Sequence, residues 1–259
     1  MTDTSRRTFL ALSATAATTA ALAGPVRMAS AVTSGIQAVG FDGFTIFDPR
    51  TMLAAAKARF PDKGEALAAL WRTRQFEYSW LRTLTGRYAD FRQVTDEALT
   101  FAAQAVGVQL TDDDRTVLMH AFTDLKLWPG AAEALTRMHD AGLRLAYVSN
   151  LPADLLKSAG EANGIAHLFE QILSTDRVQA YKPDPRVYAM AEKALKLPKS
   201  AILFAAFGGY DANGAKTYGF ETFWVNGLGL PREQLGAMPD GEGRMLSDLA
   251  DYAIARIGK

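Results

Sequence analysis

The chain has 259 residues, nearly half of them hydrophobic, and its 28 basic side chains balance 28 acidic ones. A neutral chain of this kind does not present the field that a nucleic acid or a charged membrane surface requires, and its length suffices for one domain with a large insertion or for two small domains. The absence of cysteine excludes thiol nucleophiles, disulfides and cysteine-held zinc, and three scattered histidines, His120, His139 and His167, do not form a metal cluster.

The first segment reads as a targeting leader over residues 1–31. Ser5-Arg6-Arg7-Thr8-Phe9-Leu10 sets paired arginines before a small-residue apolar stretch, with Ala21-Leu22-Ala23 and Ala29-Ser30-Ala31 as cleavage candidates, so it looks like a twin-arginine export signal. The mature protein is then expected in the periplasm. The stretch is too short and too rich in threonine to span a membrane, and nothing later reaches about 18 apolar residues.

A strand is expected over residues 37–42, ending in Asp42. From Thr51 to about Leu125 only helical spacing is found: Met52 to Phe60, Glu65 to Leu84, Phe91 to Val106 and Thr111 to Leu125, broken at Pro61-Asp62-Lys63-Gly64, Gly86 and Gly107. Beyond Pro129 helices (130–141, 153–163, 184–195, 211–218, 246–257) alternate with strands (143–149, 171–174, 201–206, 220–225). Alternation implies an α/β fold with a doubly wound, Rossmann-like parallel sheet. The organisation expected is a core of residues 35–50 and 127–259, with residues 51–126 inserted as a helical cap over the carboxyl edge of the sheet.

That edge collects the polar residues. Strand one ends in Asp42 and Thr45, the next in Ser149-Asn150, Lys182 follows the third and Asp211 the fourth. Each has a bland alternative: Ser149, Asn150 and Asp211 as helix caps, Lys182 as a loop residue. Their convergence around one carboxylate favours a site, and an aspartate at the carboxyl end of such a strand can serve as a nucleophile.

Several stretches also resemble a known family, the haloacid dehalogenase superfamily and within it the type II L-2-haloacid dehalogenases. The resemblance is carried by Phe41-Asp42 with Thr45 and Phe47-Asp48, the helical run Leu70-Trp71-Arg72 to Trp80-Leu81-Arg82, Ser149-Asn150, Tyr181-Lys182-Pro183-Asp184 with Arg186-Val187-Tyr188, and Tyr210-Asp211. It spans residues 36–258. It implies that Asp42 attacks C2 of a short 2-halocarboxylate and that water then hydrolyses the aspartyl ester. Arg72 would partner halide and carboxylate, and Lys182 would hold Asp42 ionised. Thr45, Ser149, Asn150 and Tyr188 would orient nucleophile and substrate, Asp211 would align Lys182 and the water, and Phe44, Phe76, Phe91 and Tyr210 would wall the pocket. No metal or cofactor is expected, and a homodimer through the cap is implied. Phe44 stands where a phosphatase of the superfamily carries its acid.

The chain departs from the family pattern at three points. The turn from Asp42 to Thr45 is one residue shorter, Leu151-Pro152 follows Ser149-Asn150 in place of glycine, and Ala206 and Gly208 replace a serine and an asparagine before the last aspartate. Two alternatives therefore stand beside the dehalogenase reading: a non-catalytic or slow periplasmic binder of small carboxylates, and a diverged hydrolase of the same superfamily.

Overall fold

The computed structural model describes residues 35–259, and the expected leader over residues 1–31 lies outside them. Strand β1 (Ala38–Phe41) is buried on both faces: Val39 and Phe41 enter one apolar cluster and Ala38 the other. The same period of two runs through β2 (Arg144–Ser149), where Leu145 and Tyr147 face one way and Ala146 and Val148 the other, and through β4 (Ile202–Ala206). Strands covered on both sides read as continuous apolar runs and pair in parallel.

With β3 (Phe169–Ser174), β5 (Glu221–Val225) and β6 (Gly241–Gly243) they form one parallel sheet in the order β3-β2-β1-β4-β5-β6. Phe41 lies opposite Tyr147 on one side and Ala205 on the other. The chain therefore travels outward from β1 through β2 to β3 and returns to lay β4 on the other flank of β1. The reversal opens a crevice at the carboxyl ends of β1 and β4, where ligands of doubly wound sheets bind.

Between β1 and β2 the chain is helical: α1 (Gly43–Ile46), α2 (Arg50–Arg59), α3 (Gly64–Leu84), α4 (Phe91–Val106), α5 (Asp112–His120) and α6 (Ala131–Asp140). It leaves and re-enters the core side by side, where Phe47 and Leu127 form an antiparallel bridge. Asp90 caps α4 by accepting from the Gln93 N–H at 2.8 Å, and Gly107 ends it in the left-handed region at φ 70°. Trp71 of α3 is fully buried, donates its indole N–H to the Thr95 carbonyl at 2.8 Å and meets the Phe122 ring edge-on at 5.3 Å. It belongs to the same apolar cluster as Phe41 and Tyr147, so helical insertion and sheet share one core. Each large side chain so buried contributes about 1.5–3 kcal/mol.

Polar contacts fasten α3 and its following turn to the core. The Trp80 indole donates to the Lys182 carbonyl at 3.0 Å, the Tyr181 N–H to Thr83 Oγ1 at 3.0 Å and the Tyr181 hydroxyl to the Ala89 carbonyl at 2.8 Å. Helices α7 (Ala153–Ala162), α8 (Pro185–Leu195), α9 (Gly209–Tyr218) and α10 (Leu246–Ile254) complete the layers.

Several local outcomes differ from the sequence reading, among them the last helix, which ends at Ile254 rather than at residue 257. Helix α5 begins after Thr111 as expected, with a capping box between Thr111 and Asp114, but stops at His120 rather than Leu125, because Phe122 and Leu125 turn into the core. Helix α1 is a single turn, too short for any period to register. Strand β6 carries glycine at two of three positions, and a Cβ on Gly241 would meet the Phe223 and Tyr252 rings at 2.6 Å. Its two glycines leave the room those rings need, and with Glu242 as its one side chain no alternation marks the strand.

Candidate active site

Asp42 leaves β1 and caps α1: its Oδ2 accepts the Phe44 N–H at 3.0 Å. The turn is shorter than the family pattern and closes as one helical turn in which Thr45 N donates to the Asp42 carbonyl at 3.1 Å. Gly43 permits this closure, since a Cβ there would stand 2.8 Å from Leu151 Cδ1 and 3.0 Å from Ser149 Oγ. Ser149 Oγ in turn accepts from Gly43 N at 3.3 Å and Leu151 N at 3.2 Å, which ties the ends of β1 and β2 together and leaves its hydroxyl proton for another acceptor.

The centre of the site is an ammonium between two carboxylates. Lys182 is fully buried, and its Nζ lies 2.9 Å from Asp42 Oδ1 and 2.9 Å from Asp211 Oδ2. Its backbone is set from two sides: the N–H donates to Asn150 Oδ1 at 3.1 Å and the carbonyl accepts from Trp80. Burial is the largest influence on its pKa and works against the charge, yet Asp211 and Asp42 outweigh it and hold the value above the ordinary lysine value. Asp211 sits in the first turn of α9, and its Oδ1 accepts from the Tyr188 hydroxyl at 2.7 Å. Burial pushes the Asp211 carboxyl up to about 6, assisted by Asp42 and opposed by Lys182 and Tyr188.

Across from Asp42, α3 presents Arg72. Its guanidinium lies over the rings of Phe44 and Phe76, 5.6 and 5.0 Å from their centroids, and its Nη1 is buried without a hydrogen-bond partner. Burial draws its pKa below the usual arginine value, partly offset by Asp42. Tyr210 packs edge-on against Phe76 and Trp80, each at 5.3 Å. Its ring fills the space beside Gly208, where a Cβ would approach Tyr210 Cε1 to 2.7 Å. Burial keeps the Tyr210 phenol neutral, its pKa well above the ordinary value.

These groups enclose a cavity of about 30 Å³ lined by Asp42, Phe44, Arg72, Phe76, Phe91, Ser149, Asn150 and Tyr210, together with Gln75, Ser79, Leu151, Phe207 and Gly208. Lys182 and Asp211 stand directly behind Asp42. Thr45, expected to orient the nucleophile, and Tyr188, expected at the substrate, both lie off the cavity wall. The Thr45 hydroxyl donates to the Ala205 carbonyl at 3.0 Å and braces β1 against β4, and Tyr188 is buried behind Asp211, off the cavity wall. Gln75 and Ser79 were not singled out from sequence, although they fall three and seven residues after Arg72 and so share its helix face. Gln75 donates to Thr95 Oγ1 at 2.5 Å, which fixes α3 to α4 beneath the cavity.

A model of haloacid dehalogenase-like hydrolases matches residues 20–215. The (S)-2-haloacid dehalogenase of Pseudomonas sp. strain YL is 37% identical over 225 residues, covering 86% of this chain and 97% of that one. Haloacetate dehalogenase H-2 of Moraxella sp. strain B is 32% identical over 206 residues, 79% of this chain and 92% of its own. The solved L-2-haloacid dehalogenase of Xanthobacter autotrophicus superposes with a TM-score of 0.76 at 31% identity, covering 83% of this chain and 97% of that structure. The chain thus belongs to the haloacid dehalogenase-like hydrolases and, within them, to the L-2-haloacid dehalogenase family.

Asp211 offers a direct check on the charge balance. Since the Tyr188 hydroxyl stabilises its ionised form, Tyr188→Phe should raise its midpoint relative to wild type. Carboxyl carbon chemical shifts followed against pH will read this, and an unchanged or lowered midpoint would contradict the assigned hydrogen bond.

Proposed function

We propose that this hydrolase removes halogen from short L-2-haloacids by way of an ester on Asp42, yielding D-2-hydroxy acids. The observation that carries the reading is the Asp42 carboxylate, tethered by Lys182 at 2.9 Å, opening onto a small cavity that also holds the unpartnered Nη1 of Arg72 among aromatic rings. An attacking anion and an unsatisfied cation on one small chamber suit displacement of a halide, which leaves as an anion and needs no proton. The relative from Xanthobacter autotrophicus has been described with chloropropionic acid covalently bound, which supports a covalent route.

In the first step an Asp42 oxygen attacks C2 from the side opposite the halogen, the carbon–oxygen bond forms as the carbon–halogen bond breaks, and C2 inverts. Arg72 receives the halide: a planar cation, more weakly hydrated than an ammonium and destabilised by its burial, gains a charge-assisted contact as the negative charge develops. The Ser149 hydroxyl proton and the Asn150 amide NH₂, whose oxygen is already engaged by the Lys182 N–H, are available to the substrate carboxylate. In the second step water adds to the ester carbonyl carbon. Whichever Asp42 oxygen has been alkylated, the other retains a donor already in place, Nζ of Lys182 at Oδ1 or the Phe44 N–H at Oδ2, so the developing oxyanion is met without rearrangement. Collapse expels the hydroxy acid with the oxygen that C2 took from Asp42: one water proton is transferred to that departing oxygen, the other is released to solvent and balances the charge of the halide already expelled, and the water oxygen remains in the restored Asp42 carboxylate. Asp211, with one oxygen held by Lys182 and the other by Tyr188, keeps the ammonium in position.

A phosphatase is disfavoured on two grounds: Phe44 cannot protonate an alkoxide, and the space between Asp42 and Asp211 is filled by the Lys182 ammonium. Halide release from purified protein given each enantiomer of 2-chloropropionate tests the reading. Wild type should act on the L form, and Asp42→Asn should lower the rate by about 10⁴-fold or more. Release by Asp42→Asn at the wild-type rate, or none by wild type from either enantiomer, would overturn it.

We also propose export through the leader, supported by Arg6-Arg7 ahead of its alanine-rich run. Among the described residues no helix is long and apolar enough to cross a membrane. Replacing Arg6 and Arg7 by lysine should keep the protein and its activity in the cytoplasm, and unchanged periplasmic recovery would refute the assignment. A homodimer through residues 51–126 is proposed from the family resemblance, with sedimentation at twice the chain mass as the expected result and a monomer at micromolar concentration as the contrary one.

A further inference from the structure

Three surface cavities each share one aromatic wall with the reaction chamber: Phe207 with a cavity of about 280 Å³, Phe91 with one of about 580 Å³ and Tyr210 with one of about 670 Å³. Charge separates them. The cavity behind Tyr210 carries Asp184 and Glu233 and no cation, so it repels an anion. The one behind Phe91 carries Arg92 and Arg115, but these are engaged by Asp154 and Asp96.

The cavity behind Phe207 differs. It lies where the chain crosses between core and helical insertion, with Arg50 from the outgoing crossing and Trp128 from the returning one, and Arg244 on its far wall beside Val225 and Leu246. Arg50 is held by Asp48 and lies over the Trp128 ring at 4.8 Å. Arg244 makes no ion pair and no side-chain hydrogen bond among the described residues. The nearby carboxylate of Glu242 is taken by Arg232 at 2.8 Å and Asn226 at 3.1 Å. The Arg244 backbone is fixed, its N–H donating to Asp248 Oδ2 at 2.8 Å, and Gly229 leaves room for the guanidinium, since a Cβ there would stand 2.8 Å from Nη1. A guanidinium that feels the Glu242 carboxylate at a distance but makes no ion pair or hydrogen bond of its own, above a floor of Trp128, Phe207, Val225 and Leu246, suits a small anion with an apolar tail. Phe207 lies between the two spaces, its ring 6.4 Å from Phe44 and 6.0 Å from Trp128.

We propose that this cavity is a second carboxylate site, an antechamber in which a short carboxylate docks on Arg244 and Trp128 on one side of Phe207 while the reaction chamber lies on the other. The assignment rests on the haloacid reading for the identity of the anion but not for its test. Iodide quenches indole fluorescence on contact, so the difference between wild type and Trp128→Phe isolates the quenching of Trp128. Arg244→Glu should lower that quenching constant at least threefold, and propionate, which carries no halogen, should suppress it saturably in wild type. Lys157→Glu, which makes the same charge change on the exposed face of α7, should leave both the quenching constant and its suppression by propionate as in wild type. Quenching that is equal in wild type and Arg244→Glu, or indifferent to propionate, overturns the antechamber. Halide release with an unaffected Trp128 leaves the reaction standing without this site, whereas the expected quenching in a protein that releases no halide leaves the site standing without the reaction.

Discussion

A buried ammonium flanked by two carboxylates is the constraint on which the rest of the site depends. Taking Lys182 out of water costs several kcal/mol, and only opposite charges at hydrogen-bond distance offset that cost. Asp42 supplies one from the end of β1 and Asp211 the other from the start of α9, so the central strand, its neighbour β4 and the segment leading into α8 must meet within hydrogen-bond distance. Removing either carboxylate would leave a sealed cation with a single partner; removing the lysine would leave two carboxylates facing each other. The arrangement orients Asp42 because its own stability demands that geometry.

The other cation of the site is treated in the opposite way. Arg72 reaches the chamber from the helical insertion, rests on aromatic faces and leaves Nη1 unsatisfied. One charge is saturated and organises the protein; the other is held in reserve for a ligand. Both depend on α3, which bears Arg72 and, two turns further on, the Trp80 indole that holds the Lys182 carbonyl. Displacing α3 from the sheet would loosen the tethers of both cations at once.

The fold was legible because its strands are apolar on both faces and separated by long helical periods, and the carboxyl-edge polar residues followed from strand ends alone. Asp42, Lys182, Asp211, Ser149 and Asn150 all follow strand ends, and the fold brings them together. What escaped sequence reading had little side-chain signal to give: the single turn α1 and the glycine-rich strand β6. Thr45 and Tyr188 stand beside the site but spend their hydroxyls on Ala205 and Asp211, a distinction set by a few tenths of a nanometre that spacing along the chain does not encode. Gln75 and Ser79 were within reach, since they repeat on the Arg72 face of α3.

Gly208 and Tyr210 show how such a site is allowed to vary. The Tyr210 ring occupies the volume into which any side chain at position 208 would project. The two positions therefore behave as one unit of inheritance: a larger residue at 208 is disruptive until the aromatic at 210 is re-aimed, and a smaller residue at 210 leaves a hole until 208 acquires a side chain. Passage between this chamber and one with a polar group at position 208 requires two changes whose order matters, which raises a barrier between neighbouring versions of the site even though each is sound in itself.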